Sequence, residues 1–394
     1  MKIRLAASAL VWLAPVLAVV AIAAPAKQPL HAVLFIIDGL SFKALDRIAL
    51  PHLQSLVARG TYCARSYNVM PAHPKTGDWS TLHRSSIPNP VILAGTVLLR
   101  RDQRYVQQSF FPARLTAHAA NDVDYSALNV GFNLTFMAGS DDSPVHDDET
   151  MHWAIEFLRR ARPAFMRVHL QDTGNAGARS YDETNRSVPW FRDIWAEGSP
   201  YRRAAARADE HLGAFMAELQ SLGLSDSTVL FVTADHGQSD AGWHPYDDED
   251  GWTMPLVIAG PGVKTGQRLE YSEQTDIVPT LCHLMKVPPP ANADGRILAE
   301  ALIDPPRDVP PRRQDLKDLN GVLREGDALI KRFRTDAARL AGKGDRFAVL
   351  ERDFYGIERI LEWRRFASVA ELVEHNRRVA GELAKLAGSA EPRP

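Results

Sequence analysis

The run Val229-Leu-Phe-Val-Thr-Ala-Asp235-His236-Gly237 constrains this chain more than any other stretch. Its five apolar or β-branched residues in a row offer no polar face, so they predict a strand buried on both sides of a parallel sheet. The run stops at Asp235 and His236, which puts a carboxylate beside an imidazole at the strand's carboxyl end. Open α/β sheets bind their ligands at that end. Carboxylate oxygen and neutral imidazole nitrogen together suit a divalent cation such as zinc. Gly237 permits a tight turn that brings further polar groups back over the strand end. His244, in the stiff segment Gly242-Trp243-His244-Pro245, is the candidate ligand among them, and Trp243 would exclude water. A solvated turn histidine is the plainer alternative.

The same design recurs twice. His31-Ala-Val-Leu-Phe-Ile-Ile-Asp38-Gly39 is a second buried run that delivers a carboxylate at its end. Alone, Asp38 would read as a helix N-cap; paired with Asp235 it reads as a second ligand of one cation. Pro163 to Gly177 holds a third strand, ending in Asp172 and a glycine-rich turn. Helical spacing predicts helices over Leu50–Gly60, Asp148–Arg162, Ser199–Leu222 and Thr275–Met285, with a further strand in Thr253–Gly262. This alternation predicts an α/β fold: a mostly parallel central sheet with helices on both faces. Between the first strand and its neighbours, the segment from Tyr67 to His83 is dense in proline, glycine and hydroxyls, the mark of an ordered functional loop. A hydroxyl bound to a metal loses its proton readily and becomes a nucleophile. Thr76 is the first candidate and Ser80 the second; on its residues alone Thr76 reads equally well as an N-cap.

A net charge of −2, with 24% charged residues, gives no reason to expect a nucleic-acid polymer or an anionic membrane as partner. Residues 1–26 read as a secretory signal, with a basic start, an apolar run and Ala24-Pro-Ala26 as cleavage site; an uncleaved anchor is the alternative. No other stretch is long and apolar enough to span a bilayer. A periplasmic or secreted location follows. Cys63 and Cys282 could then form one disulfide or stay as two buried thiols. Residues 27–304 form the expected catalytic domain. The proline-rich segment Asp304–Arg313 marks a boundary, and residues 305–394 read as two or three amphipathic helices packed on the core or on a partner.

Taken together, Ile36-Ile-Asp38-Gly39, the Pro71–Thr81 loop, Thr233-Ala-Asp-His-Gly237, Gly260-Pro-Gly-Val and Thr275-Asp-Ile-Val-Pro-Thr-Leu resemble the alkaline phosphatase superfamily. The resemblance is to its type I phosphodiesterase/nucleotide pyrophosphatase and sulfatase-like branches, and covers residues 31–300. It implies a site for two metals, usually zinc (manganese, magnesium or calcium being alternatives), and a Ser/Thr nucleophile that is transiently phosphorylated. By position, Asp38, Asp235 and His236 would bind one metal together with Thr76. The second metal of the family takes an Asp with a His four residues later. Asp172 stands at that strand end, but position 176 is Ala. His244 would fill the gap, helped by Asp240 or Asn175; otherwise one metal binds, as in sulfatases. No Cys-x-Pro-x-Arg or Ser-x-Pro-x-Arg stretch is present for a formylglycine nucleophile. The resemblance thus implies a hydrolase of small-molecule phosphate esters, diesters or nucleotides foremost. A sulfatase-like hydrolase and a non-catalytic binding relative lacking one metal site are the alternatives.

Overall fold

A computed structural model describes residues 29–388 except 69–81, 87–91, 94–95, 98–103, 141–142, 145, 246, 292, 312–313 and 336–341. Thr76, Ser80 and the expected signal segment therefore lie outside the described residues. The apolar runs become strands as their composition demands. His31–Ile37 (β1) is buried at every position after the first, and Thr228–Thr233 (β10) throughout. The others are Thr61–Tyr67 (β2), Ile92–Leu93 (β3), Thr96–Val97 (β4), Thr116–Ala120 (β5), Leu134–Met137 (β6), Gly139–Ser140 (β7), Ser143–Pro144 (β8), Phe165–Leu170 (β9), Thr253–Ala259 (β11), Gln267–Leu269 (β12) and Ser272–Glu273 (β13). The main sheet runs β12-β2-β11-β10-β1-β9-β5-β6, with β13 beside β2; β3–β4 and β7–β8 are separate two-stranded pairs. Every pairing in the main sheet is parallel except those of β11, which is antiparallel to β10 and β2. Within β11, Pro255 cannot donate to the ladder. The register with β2 shifts between Met254 and Leu256 to accommodate it, and its carbonyl accepts from Thr233 Oγ1 at 2.8 Å.

Register decides what meets at the carboxyl ends. Ile36 of β1 pairs with Thr233 of β10 on one side and with His169 of β9 on the other. Two residues further along both chains, Asp38 comes level with Asp235.

Alternating side chains of the central strands feed two cores, as the pleat requires. Val33, Phe35 and Ile37 pack under the amphipathic helices Pro51–Arg59, Asp147–Ala161 and Pro200–Ser221, with Phe35 against Phe215 at 5.8 Å. Ala32, Leu34 and Ile36 pack on the other face against the helix Ile277–Met285. Cys63 and Cys282 are both buried in that second core and are not joined by a disulfide. Among the described residues no helix is long and apolar enough to cross a membrane.

One expectation needs correcting. The glycine-rich segment after Asp172 is not a turn but the start of the helix Asp172–Asp182. A Cβ on Gly174 would come within 1.8 Å of Asp38 Oδ1, and one on Gly177 within 1.4 Å of Gln238 Nε2. These glycines let the helix lie against the strand ends; they do not reverse the chain.

The C-terminal helices Asp315–Thr335, Gly344–Asp353 and Val369–Ala387 share a third core with Tyr67, Trp252 and Tyr271. Tyr67 stacks on Tyr271 at 5.2 Å. The buried carboxylate of Glu273 accepts from Tyr271 Oη at 2.7 Å and from the Leu316 backbone N–H at 2.8 Å, which ties these helices to the sheet edge. Burial, and then the charge of Asp276, push the Glu273 carboxyl up to about 8. An unfolded chain ionises this group from its ordinary 4.5, so stability is lost as pH rises from there to about 8. Gln keeps the shape and an acceptor oxygen without a charge. Glu273→Gln should therefore melt with the parent at pH 4.5 but above it at pH 8.5, by several degrees. Equal melting temperatures at both pH values would show that the carboxyl is ionised in the fold.

Candidate metal site

Three strands deliver four polar side chains to one spot. Ligand atoms of Asp38, His169 and Asp235 all lie within 4.8 Å of one another. His236 Nε2 is 3.4 Å from Asp38 Oδ1 and 3.5 Å from Asp235 Oδ2, and His169 Nε2 is 3.5 Å from Asp38 Oδ2. All four residues are buried. Two carboxylates in such a place require a cation between or beside them, because an uncompensated buried charge costs several kcal/mol.

The His236 ring shows which cation fits. Its Nδ1 lies 2.7 Å from the Gly237 carbonyl, which can only accept, so Nδ1 carries the proton. Nε2 then presents its lone pair, or a second proton, to both carboxylates. Burial lowers the affinity of this ring for a proton, but Asp235 and Asp38 outweigh it and raise the pKa to about 9. Burial likewise pushes Asp38 up, but hydrogen bonds from His169 and His236 hold it well below the usual carboxylate range. Without metal the site is two carboxylates closed over an imidazolium. With a divalent cation the same Nε2 would serve as a ligand, and the Nδ1–H bond to a carbonyl is the outer support that metal-binding histidines use. The donor set fits a zinc-like ion.

The backbone beneath is held from several sides. Gly39, in the left-handed region at φ +61, donates its N–H to Asp235 Oδ1 at 3.1 Å. Gln274 Nε2 donates to the carbonyls of Ala234 (3.0 Å) and Asp235 (2.9 Å), and Asn68 Nδ2 also donates to Asp235 O at 2.9 Å.

Of the remaining candidates, His244 lies with its ring centroid 3.9 Å from that of His236, and Trp243 covers it at 4.2 Å. Trp243 adopts a left-handed backbone, φ +64, which suits the tight return of this segment. Asp172 Oδ2 is 3.4 Å from His146 Nδ1 and accepts from the Asp147 backbone N–H. Asp147, buried, accepts in turn from the N–H groups of Gln171 and Asp172, and burial and then the charge of Asp172 raise its pKa well above the ordinary value. Ala176 is part of the apolar core. Asp240 is engaged by Lys43 Nζ at 2.8 Å and Trp195 Nε1 at 2.6 Å.

Sequence reading passed over His169 and its neighbour Arg167. Their signal is a basic pair at i, i+2 within the otherwise apolar Phe165-Met-Arg-Val-His-Leu170, which places both on one face of a buried strand. Asn68 and Gln274 carry no pattern that marks them; they serve through backbone carbonyls far along the chain.

Residues 99–287 match the family model described as Sulfatase. The chain is 29% identical over 118 residues to arylsulfatase K of Gallus gallus, a match covering 29% of this chain and 22% of that protein. It is 30% identical over 96 residues to lipoteichoic acid synthase 1 of Bacillus subtilis, covering 21% of this chain and 15% of that one. The chain thus spans about a fifth of the length of the curated relatives it matches. Phosphonate monoester hydrolase from Silicibacter pomeroyi superposes with a TM-score of 0.53 at 20% identity, covering 72% of this chain and 78% of that one. A 2-O GAG sulfatase superposes at 0.57 with 16% identity, covering 72% and 76%. At these identities the likeness to the solved structures is one of fold.

Two outcomes follow from the geometry. A methyl group at position 174 would displace the Asp38 carboxylate from its place. Gly174→Ala should therefore weaken zinc binding at least ~10-fold by calorimetry while the far-ultraviolet circular dichroism stays that of the parent; unchanged affinity would show that Asp38 is not a ligand. The second outcome concerns pH. His236 is raised from 6.5 to about 9, so its contribution to stability is complete below 6.5 and lost as pH rises through 9. Chelator-treated protein should melt at falling temperature across that window, and zinc should abolish the fall by taking the proton's place. A flat profile without metal would contradict the imidazolium bridge.

Proposed function

We propose that this chain, with its Sulfatase match and its alkaline phosphatase-like fold, is a member of the alkaline phosphatase superfamily on its sulfatase-like branch, and an exported, metal-dependent hydrolase of phosphate esters, phosphodiesters or nucleotides foremost. The observation that supports this most directly is the meeting of Asp38, Asp235 and His236 Nε2 at the ends of adjacent parallel strands. These three residues would hold one divalent cation, zinc by its mixed oxygen and nitrogen donors. A second cation, where one binds, would draw on Asp172 and His244. When bound, the metal supplies Lewis acidity toward the ester oxygen and lowers the pKa of a neighbouring hydroxyl. Thr76 would act as the nucleophile, attacking phosphorus in line as the alcohol leaves; water then releases phosphate or a phosphomonoester from the threonine. The network on the Asp235 carbonyl (Asn68, Gln274) keeps that carboxylate in place through the cycle.

A second reading, hydrolysis of sulfate esters, is favoured by the Sulfatase match and by the similarity to arylsulfatase K. The lack of a formylglycine stretch weighs against it. One experiment separates the readings. Chelated protein, reloaded with zinc or manganese, is offered bis-p-nitrophenyl phosphate, p-nitrophenyl phosphate and p-nitrophenyl sulfate. The diester should be hydrolysed fastest, and Thr76→Ala should cost at least ~10³-fold in kcat while Ser80→Ala keeps most of the rate. Faster sulfate release would favour the second reading. Stoichiometric metal with no hydrolysis of any ester would favour a binding relative.

A further inference from the structure

Arg167 is fully buried, and its guanidinium meets three histidines. Nε donates to His83 Nε2 at 2.9 Å, Nη1 lies 2.8 Å from His118 Nε2, and Nη2 lies 2.7 Å from His169 Nδ1. The Tyr125 ring lies against both, 4.8 Å from the guanidinium and 4.5 Å from the His169 ring. A guanidinium has five donors and no acceptor, and stays protonated in proteins. Each of the three ring nitrogens must therefore offer a lone pair, which sends the proton of each neutral ring to its other nitrogen. His118 provides an internal check: its Nδ1 lies 3.2 Å from the side-chain oxygen of Asn129, an acceptor, as the assignment requires. Burial, and then the Arg167 charge, also hold His118 well below its ordinary pKa, so that ring is neutral.

For His169 the consequence reaches the metal site. Its Nδ1 accepts from Arg167, so its Nε2 bears hydrogen, and that nitrogen lies 3.5 Å from Asp38 Oδ2. A ring nitrogen that carries hydrogen has no lone pair for a metal. We propose that Arg167 fixes His169 as its Nε2–H tautomer, making His169 a positioning residue that orients Asp38 rather than a metal ligand. The two histidines on Asp38 are then opposites. His169 Nε2–H lies beside Oδ2, which leaves Oδ1, 3.4 Å from His236 Nε2, for the cation. Proximity alone would group His169 with the ligands; its hydrogen-bond partner removes it.

The tautomer is a property of the fold and is readable without metal or substrate; only its ligand consequence rests on the reading above. The test is a long-range proton–nitrogen correlation spectrum of histidine-labelled whole protein, taken after chelation and again after adding zinc ions. The His169 signals are assigned by their loss in His169→Gln, or, if that variant does not fold, by through-bond correlation from the backbone. The expected result is hydrogen on Nε2 of His169 in both spectra, while the His236 Nε2 signal moves on zinc addition. Hydrogen on Nδ1 of His169 in the chelated protein, or a His169 Nε2 signal that loses its hydrogen and shifts with zinc, would overturn the proposal. If zinc does not bind, the metal reading fails on its own, and the chelated spectrum still decides the tautomer.

Discussion

Two carboxylates, Asp38 and Asp235, are buried side by side because the parallel register of β1 and β10 leaves them nowhere else to go. That repulsion is the constraint around which the surrounding residues are arranged. Gly39 turns its N–H onto one carboxylate, His169 Nε2 lies 3.5 Å from the other, and His236 lies between them. Gly174 is without a side chain so that the Asp172–Asp182 helix can close over Asp38. Each of these contacts stabilises a charge that would otherwise cost several kcal/mol to bury.

The strand-and-carboxylate design was legible because buried parallel strands need continuous apolar runs, and a polar residue that ends one stands out. Asp38, Asp235 and His236 were readable for this reason, as were the long helices, whose limits shift by a residue or two. The glycine-rich segment misled because glycine is ambiguous: it marks reversal in one context and close approach in another. Only the distance from Gly174 to Asp38 separates the two. Asn68 and Gln274 were invisible for another reason. Their contacts cross 167 and 39 residues of chain, and amide side chains that serve backbone carbonyls leave no periodicity.

The C-terminal helices are joined to this site more closely than their composition suggests. Asn320, buried in the helix Asp315–Thr335, donates to the carbonyl of Asn68 at 2.7 Å. Asn68 takes an N–H···O bond to Trp252 and donates to the carbonyl of Asp235. A chain of buried amides thus runs from the helical extension through Asn68 to a candidate ligand. Buried polar groups of this kind are costly when left unmet and specific when satisfied. Their presence argues that the extension and the sheet fold as one cooperative unit at this edge.

Arg167 settles the charge balance. In the absence of metal, the charges of the two carboxylates, of Arg167 and of a protonated His236 sum to zero. Exchange of the His236 proton for a divalent cation leaves one net positive charge at the ends of β1, β9 and β10. On the proposed reading, an anionic ester would meet a net positive site only in the loaded form, and the fixed guanidinium, one strand away from Asp38, would supply the difference. A phosphodiester and a sulfate monoester each carry one negative charge, so this balance favours both alike over a neutral molecule. Discrimination between them cannot come from net charge. It would fall to the groups that touch the leaving oxygen and to the nucleophile, for which Thr76 is the proposed residue.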